Sequence, residues 1–412
     1  MPGGSIRIMA AVEIVESEFP VGAGQTEGDS MNREMTPRER VLTAVAHREP
    51  DRVPMDFGGR VSTLHAYAQR ELKKQLGLEG GEETIRGYMT YTVEPDPRLV
   101  AKFGRDTTPF YPNPGAAYQF EIDPMTNSYL DEWGVRYRMP PGGYYYDPFQ
   151  FPLAEAETVS DLDRHAWPDP RDPNRMRGVA EEIKATHAAG EKAIMLGAPT
   201  LGLWLLPQFL RGMERALMDL ALDRKMAEAL AERVTEWYVD FWDSALAEVG
   251  PYVDFVHMEG DLGDQMGPIF SPRTFREIYK PRLRRVIEAI KRRSSARIWL
   301  HSCGSIYWVI PDLIDVGVEV LNPVQVNAAE MDSARLKREF GKDLTFWGGG
   351  CDPVVLQFGS PGDVQEEVRR RIADLAPGGG FVFASVHNIQ ANVPPANIVA
   401  MFEAAHKYGV YS

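Results

Sequence analysis

Cysteine is nearly absent. Cys303 and Cys351 are the only two in 412 residues, so no disulfide framework holds this fold and both thiols are open to chemistry. Long apolar runs are also missing. The best stretch, 201–210, is broken by Pro207 and Gln208 and falls well short of the roughly 20 residues that a spanning helix needs. A basic excess is lacking too: 45 Lys and Arg face 59 Asp and Glu, a net charge of −14. That balance argues against a partner built of nucleic-acid phosphates or anionic lipid. No G-x-G-x-x-G follows the first apolar run, so a dinucleotide fold has no fingerprint here. No D-x-H-x-x-G cobalt-ligating motif occurs anywhere. The amino terminus lacks the basic, apolar and small-residue succession of a secretory signal. Residues 1–34 mix Gly, Ser and Glu without period and are expected to be a flexible leader, with Met31 or Met35 as alternative true starts. A cytoplasmic protein is expected.

What is present is ordinary globular composition, 44% hydrophobic and 25% charged. Thr36-Pro37-Arg38-Glu39 supplies an N-cap, a first-position proline and an acid in the first turn, and predicts a helix running to about His47. Eight short apolar runs follow, at 53–57, 107–111, 193–196, 253–258, 297–300, 318–321, 344–347 and 381–386. Helical stretches lie between several of them, at 211–248, 272–293 and 363–375. Strands alternating with helices indicate a parallel sheet, and eight units in one chain of this length favour a closed (β/α)8 TIM-type barrel over residues 35–412. Residues 106–152 break the rhythm with Tyr, Pro and Gly. They predict a β-hairpin inserted after the second strand and lying over one mouth of the barrel, with at least one of Tyr144, Tyr145 and Tyr146 lining a cavity.

Catalytic groups in such barrels sit at the carboxyl ends of the strands. The fourth run ends in His257-Met258-Glu259-Gly260-Asp261-Leu262-Gly263-Asp264, the fifth in His301-Ser302-Cys303, and the sixth in Asn322-Pro323-Val324-Gln325. The seventh ends in Gly348-Gly349-Gly350-Cys351 and the eighth in His387-Asn388. Both cysteines, together with His301 and His387 of the 8 histidines, thus fall on adjacent strand ends of one rim. His301 and Cys303, two residues apart, point the same way along a strand. A thiolate with an imidazole suits one Zn²⁺ per chain, with Cys351 or His387 as third ligand and Glu259 or Asp261 as a carboxylate. Gly349 and Gly350 would let backbone approach a bulky planar ligand. Arg211 is expected to be a structural arginine at a helix start.

These residues resemble the uroporphyrinogen decarboxylase superfamily over 36–409. The markers are Thr36-Pro37-Arg38-Glu39-Arg40 with Arg52-Val53-Pro54, the run from Gly263 to Ser271-Pro272 leading to Lys280-Pro281-Arg282, Leu300-His301-Ser302-Cys303-Gly304, Leu321-Asn322-Pro323-Val324-Gln325, and Val393-Pro394-Pro395-Ala396-Asn397-Ile398. The resemblance implies a (β/α)8 barrel. The haem-pathway decarboxylase carries an arginine-rich Arg-Gln-Ala-Gly-Arg segment after its first strand, whereas the matching stretch here, 55–60, has one arginine, Arg60. The chain is more similar to the branch of zinc methyltransferases that serve corrinoid proteins, which hold zinc with His-x-Cys and a cysteine in the last strand region. His301 and Cys303 match that pattern, and the last-strand position is His387.

The resemblance therefore implies a zinc-dependent methyltransferase moving a methyl group between a small methoxylated or methylated donor, or a thiol acceptor, and a corrinoid. The corrinoid would be presented by a separate protein, in a modest and transient contact at an open rim. Glu259, Asp261 or Asp264 would handle the proton, and Asn322 with Gln325 would orient substrate. A homodimer is compatible with this reading. Two other functions compete with it: a metal-free carboxy-lyase acting on a tetrapyrrole or smaller acid, and a non-catalytic barrel that binds a corrinoid or porphyrin.

Overall fold

A computed structural model describes residues 34–411. The leader expected at 1–34, including the alternative start at Met31, lies outside the described residues apart from Glu34. The capping box reads out as the sequence requires: Glu39 N donates to Thr36 Oγ1, Thr36 N donates to Glu39 Oε2, and helix Pro37–Val45 follows. This helix sets Val41 and Val45 into the barrel interior.

Seven parallel strands run in order around the sheet: Thr107–Phe110, Ala193–Gly197, Phe255–Glu259, Arg297–His301, Val320–Asn322, Thr345–Trp347 and Phe381–Val382. Residues 52–57 supply the eighth stave and close the seam. Phe383 N donates to Pro54 O at 2.8 Å, Asp56 N to Phe383 O at 2.8 Å, and Asp106 N to Met55 O at 2.8 Å. Alternation along the staves sorts the side chains. Ala193, Met195, Phe255, Trp299, Val320, Trp347, Val382 and Ala384 fill the barrel. Their neighbours Ile194, Leu196, Val256, Ile298, Leu300, Leu321 and Phe346 pack in the shell of helices. By the same period-two rule Glu259, His301 and Asn322 continue the inward rows begun by Phe255, Trp299 and Val320, which places their side chains at the carboxyl rim.

The seam is also clamped electrostatically. Asp106, only 1% exposed, accepts from Arg40 Nη1 at 2.8 Å, from both Arg52 Nη atoms at 2.8 and 2.9 Å, and from Met55 N at 2.7 Å. Inside the barrel Asp56 ties three staves by accepting from Thr107 Oγ1 at 2.7 Å and from Trp347 Nε1 at 2.9 Å.

Three expectations are corrected. The helix expected over 211–248 is divided. Leu206–Arg211 stops at Gly212, whose φ of 84° ends the helix, Met213–Leu222 follows, and Asp223 then caps Arg224–Val249. The insertion is a three-stranded antiparallel sheet, Ser128–Leu130, Arg136–Arg138 and Asp147–Gln150, where a hairpin was expected. A second small sheet, Leu64–His65 with Ile85–Gly87 and Thr92–Val93, precedes it. The two are joined: Tyr146 N donates to Met89 O at 3.1 Å, and His65 Nε2 lies 2.8 Å from Tyr144 O. Arg211 is structural as expected, but it ends helix Leu206–Arg211 where a helix start was expected; it is buried at 1% and paired with Asp219 at 2.7 Å, with Leu153 O accepting from its Nη1 at 2.7 Å. Among the described residues no helix is long and apolar enough to cross a membrane.

Candidate metal centre

A cavity of about 290 Å³ opens at the carboxyl rim. Val61, Tyr88, Met89, Tyr129, Leu201 and Leu205 form its apolar wall, while Arg60, Glu259, Asp261, His301, His387 and Asn388 supply the polar side. Tyr129 belongs to the inserted sheet, so the insertion lies on the rim that carries His301.

At this cavity His301, Cys303 and His387 bring their ligand atoms within 4.8 Å of one another. His301 Nε2 is 3.3 Å from Cys303 Sγ. Two ligands at 2.0 and 2.3 Å from one tetrahedral ion stand about 3.5 Å apart, so this spacing fits Zn²⁺. The tautomer fits as well. Asn322 Nδ2 donates to Trp347 O at 2.9 Å, which turns its Oδ1 toward His301 Nδ1 at 2.6 Å. Nδ1 must then carry the hydrogen, leaving the Nε2 lone pair facing the thiol, as a metal-bound imidazole held by an outer partner requires. Asp261 accepts from Cys303 N at 2.9 Å, and its Oδ1 stands 3.8 Å from His301 Nε2.

Burial and the nearby His301 hold the His387 imidazole down at about 4, so it is a neutral donor at physiological pH. Burial and the Asp261 carboxylate push the Cys303 thiol up, a penalty that a cation at this spot would reverse. The unfolded chain takes up a proton at His387 near pH 6.5 and the folded chain near pH 4, so metal-free stability should fall as pH drops through this window. The loss is on the order of 3 kcal/mol. Denaturant titrations at pH 7 and pH 4.5 on wild type and His387→Gln check it, and the variant should show a flatter profile.

The remaining candidates separate. Glu259 stays at the cavity, with Arg60 Nη1 at 3.2 Å from its Oε1 and His257 Nε2 at 3.5 Å from the same atom. Asn322 touches His301 and does not line the cavity. Cys351 lies outside the ligand group: it is 0% exposed, its Sγ faces Asp352 O at 3.6 Å, and burial pushes its thiol up. Asp264 is exposed in a turn, where Met266 N and Gly267 N at 2.7 and 2.8 Å hold its carboxyl low. Gln325 accepts from Gly304 N at 2.7 Å and donates to Gln265 Oε1 at 3.0 Å, bracing the loop behind Cys303. Gly349 and Gly350 face protein: an added Cβ would meet Val324 at 2.7 Å and Phe383 at 2.3 Å. They make room for packing against Val324 and Phe383. Tyr145 lies outside the cavity wall, its hydroxyl bound to Gln390. Tyr146 is likewise turned away, donating to Asn127 Oδ1 at 2.7 Å.

Sequence reasoning missed the 85–93 hairpin, which contributes Arg86, Tyr88, Met89 and Thr90 to the wall. The only signal was a β-favouring stretch, Tyr88 to Val93, between the first two staves. It also missed Arg60 as the cation paired with Glu259.

The fold and this rim define a (β/α)8-barrel enzyme with a candidate His-Cys-His metal centre. A family model described as uroporphyrinogen decarboxylase (URO-D) matches residues 131–408, and the chain belongs to that family. Among curated relatives, it is similar to a uroporphyrinogen decarboxylase from Pseudoalteromonas atlantica, 21% identical over 65% of this chain and 74% of that one. A uroporphyrinogen decarboxylase from Neisseria meningitidis serogroup C is 26% identical over 35% of this chain, and the match spans only 40% of that relative's length. Among solved structures, a methyltransferase from Methanosarcina mazei superposes with a TM-score of 0.58 at 19% identity, covering 91% of this chain and 99% of that one. This last likeness is one of fold.

Proposed function

We propose that the chain is a zinc-dependent methyltransferase that works with a corrinoid carried by a separate protein. The observation that carries the reading is the convergence of His301 Nε2, Cys303 Sγ and a His387 ring nitrogen, with Asn322 fixing the His301 tautomer. The fold likeness to a methyltransferase accords with it. Zinc held by these three residues would supply Lewis acidity to a methyl-bearing oxygen or to a thiol, and the partner's corrinoid the cobalt that takes or gives the methyl group. The chain's own residues do the rest. Asp261, anchored on Cys303 N and facing the cavity, holds or receives the proton beside the reacting atom. Arg60 keeps Glu259 paired, so that one carboxylate remains free for proton transfer. Leu201, Leu205, Met89 and Tyr129 exclude water from the reacting face.

The test is zinc stoichiometry followed by a methyl-transfer assay with cob(I)alamin, free or carrier-bound, and methoxylated or methylated donors. About one zinc per chain and a donor-dependent change in the cobalt spectrum are expected. No spectral change in a folded, zinc-loaded sample would overturn the reading. A second reading, carboxy-lyase activity, is favoured by the names of the curated relatives and would show as turnover of uroporphyrinogen in metal-free protein.

A further inference from the structure

The hairpin that walls the metal cavity also walls two more spaces. Arg86 lines the His301 cavity, an adjoining cavity of about 220 Å³, and a side cavity of about 420 Å³. Arg60 borders the first two and Tyr111 the second and third, so the three share walls in sequence. Taken in this order, the shared walls run from His301 past Arg60 and Tyr111 to the far space.

That far space is cationic in a chain of net charge −14. Arg86, Arg105 and Arg177 line it. Glu94 is shared between two of them, at 3.4 Å from Arg86 Nε and 3.0 Å from Arg105 Nη1. Glu182 also lines it and makes no ion pair with any of the three. Arg177 has no ion-pair partner among the described residues. Arg105 Nε is buried with no acceptor, although the Arg105 side chain is only 15% exposed. The same wall includes Gly178 and Val179, where the 11-residue helix Val179–Ala189 begins without a side-chain cap. An oxyanion placed there would meet forked guanidinium donors and the uncapped amides at the helix start together. None of the three arginines lies in the 55–60 segment.

We propose that the side cavity is an oxyanion subsite and that the substrate is an elongated molecule. Its anionic tail, a phosphate ester or carboxylate, sits between Arg86, Arg105 and Arg177 while its other end reaches the His301 cavity. The inference rests on the reading of that cavity as the reacting end. Arg86, the wall common to all three spaces, holds the tail and aligns the body of the molecule along Tyr111.

The experiment is isothermal titration of the metal-stripped full-length protein with inorganic pyrophosphate and, separately, with glutarate. Saturable binding of at least one is expected, and Arg86→Gln and Arg177→Gln should each weaken it about tenfold or more. Both side chains are well exposed, so the variants should melt like wild type. Arg338→Gln, on helix Ser333–Phe340, should bind as wild type does. Tighter pyrophosphate assigns a phosphate tail and tighter glutarate a carboxylate tail. No saturable binding of either anion, or wild-type affinity in both variants, would overturn the proposal. Because the titration uses no metal, a failure of methyl transfer leaves its outcome standing, and a failure here leaves the zinc stoichiometry standing.

Discussion

Cys303→Ala is expected to reduce zinc from about one ion per chain to below about a tenth, and to lower methyl transfer at least about a thousandfold. The thiol is the softest of the three donors, and its loss leaves two imidazoles that cannot by themselves hold a four-coordinate ion tightly. Asn322→Ala should act through His301. With Oδ1 removed, neither ring nitrogen is fixed as donor, and zinc affinity should weaken by about 10–100-fold with the ligand set intact. Cys351→Ala should leave zinc content unchanged, since its sulfur lies outside the group. Metal analysis of the purified variants against a chelator series separates the three cases.

Asp106→Ala is expected to be the most damaging single change to the fold, costing about 3–5 kcal/mol. Its carboxylate is almost wholly buried and joins Arg40 and Arg52 to the first stave, so removal leaves guanidinium charge facing the barrel seam. Arg40 keeps Asp51, at 2.6 Å, so part of the cluster survives. Urea unfolding followed by far-UV circular dichroism measures the loss. The same substitution should spare the metal group in whatever fraction stays folded, because no Asp106 contact reaches the carboxyl rim.

The barrel was legible because each stave is a short apolar run bounded by polar or glycine-containing turns, and even 52–57, which carries only isolated bridges, stood out as such. His301 and Cys303 were legible as a pair because residues two apart share a strand face. The choice between Cys351 and His387 was not, since it depends on how far each loop turns inward after its strand. Gly349 and Gly350 misled for a related reason: a glycine needed to clear Val324 and Phe383 has the same one-letter signature as a glycine needed to clear a ligand. Asp264 lies away from the cavity wall because its turn is closed by amides two and three residues on, a local bond that leaves no mark in the composition. The 85–93 hairpin carried only a faint signal because its strands, Ile85–Gly87 and Thr92–Val93, are too short for periodicity to declare them.

The joint between the two small sheets has a practical corollary for protein engineering. With Tyr146 hung on the Met89 carbonyl and His65 set against the Tyr144 carbonyl, the roof behaves as an arch with two feet, one in each segment. Transplanting residues 112–150 onto a related barrel would carry one foot only. A chimera that takes 64–93 together with 112–150 moves the whole arch, and with it Tyr88, Met89 and Tyr129 as one piece of cavity wall.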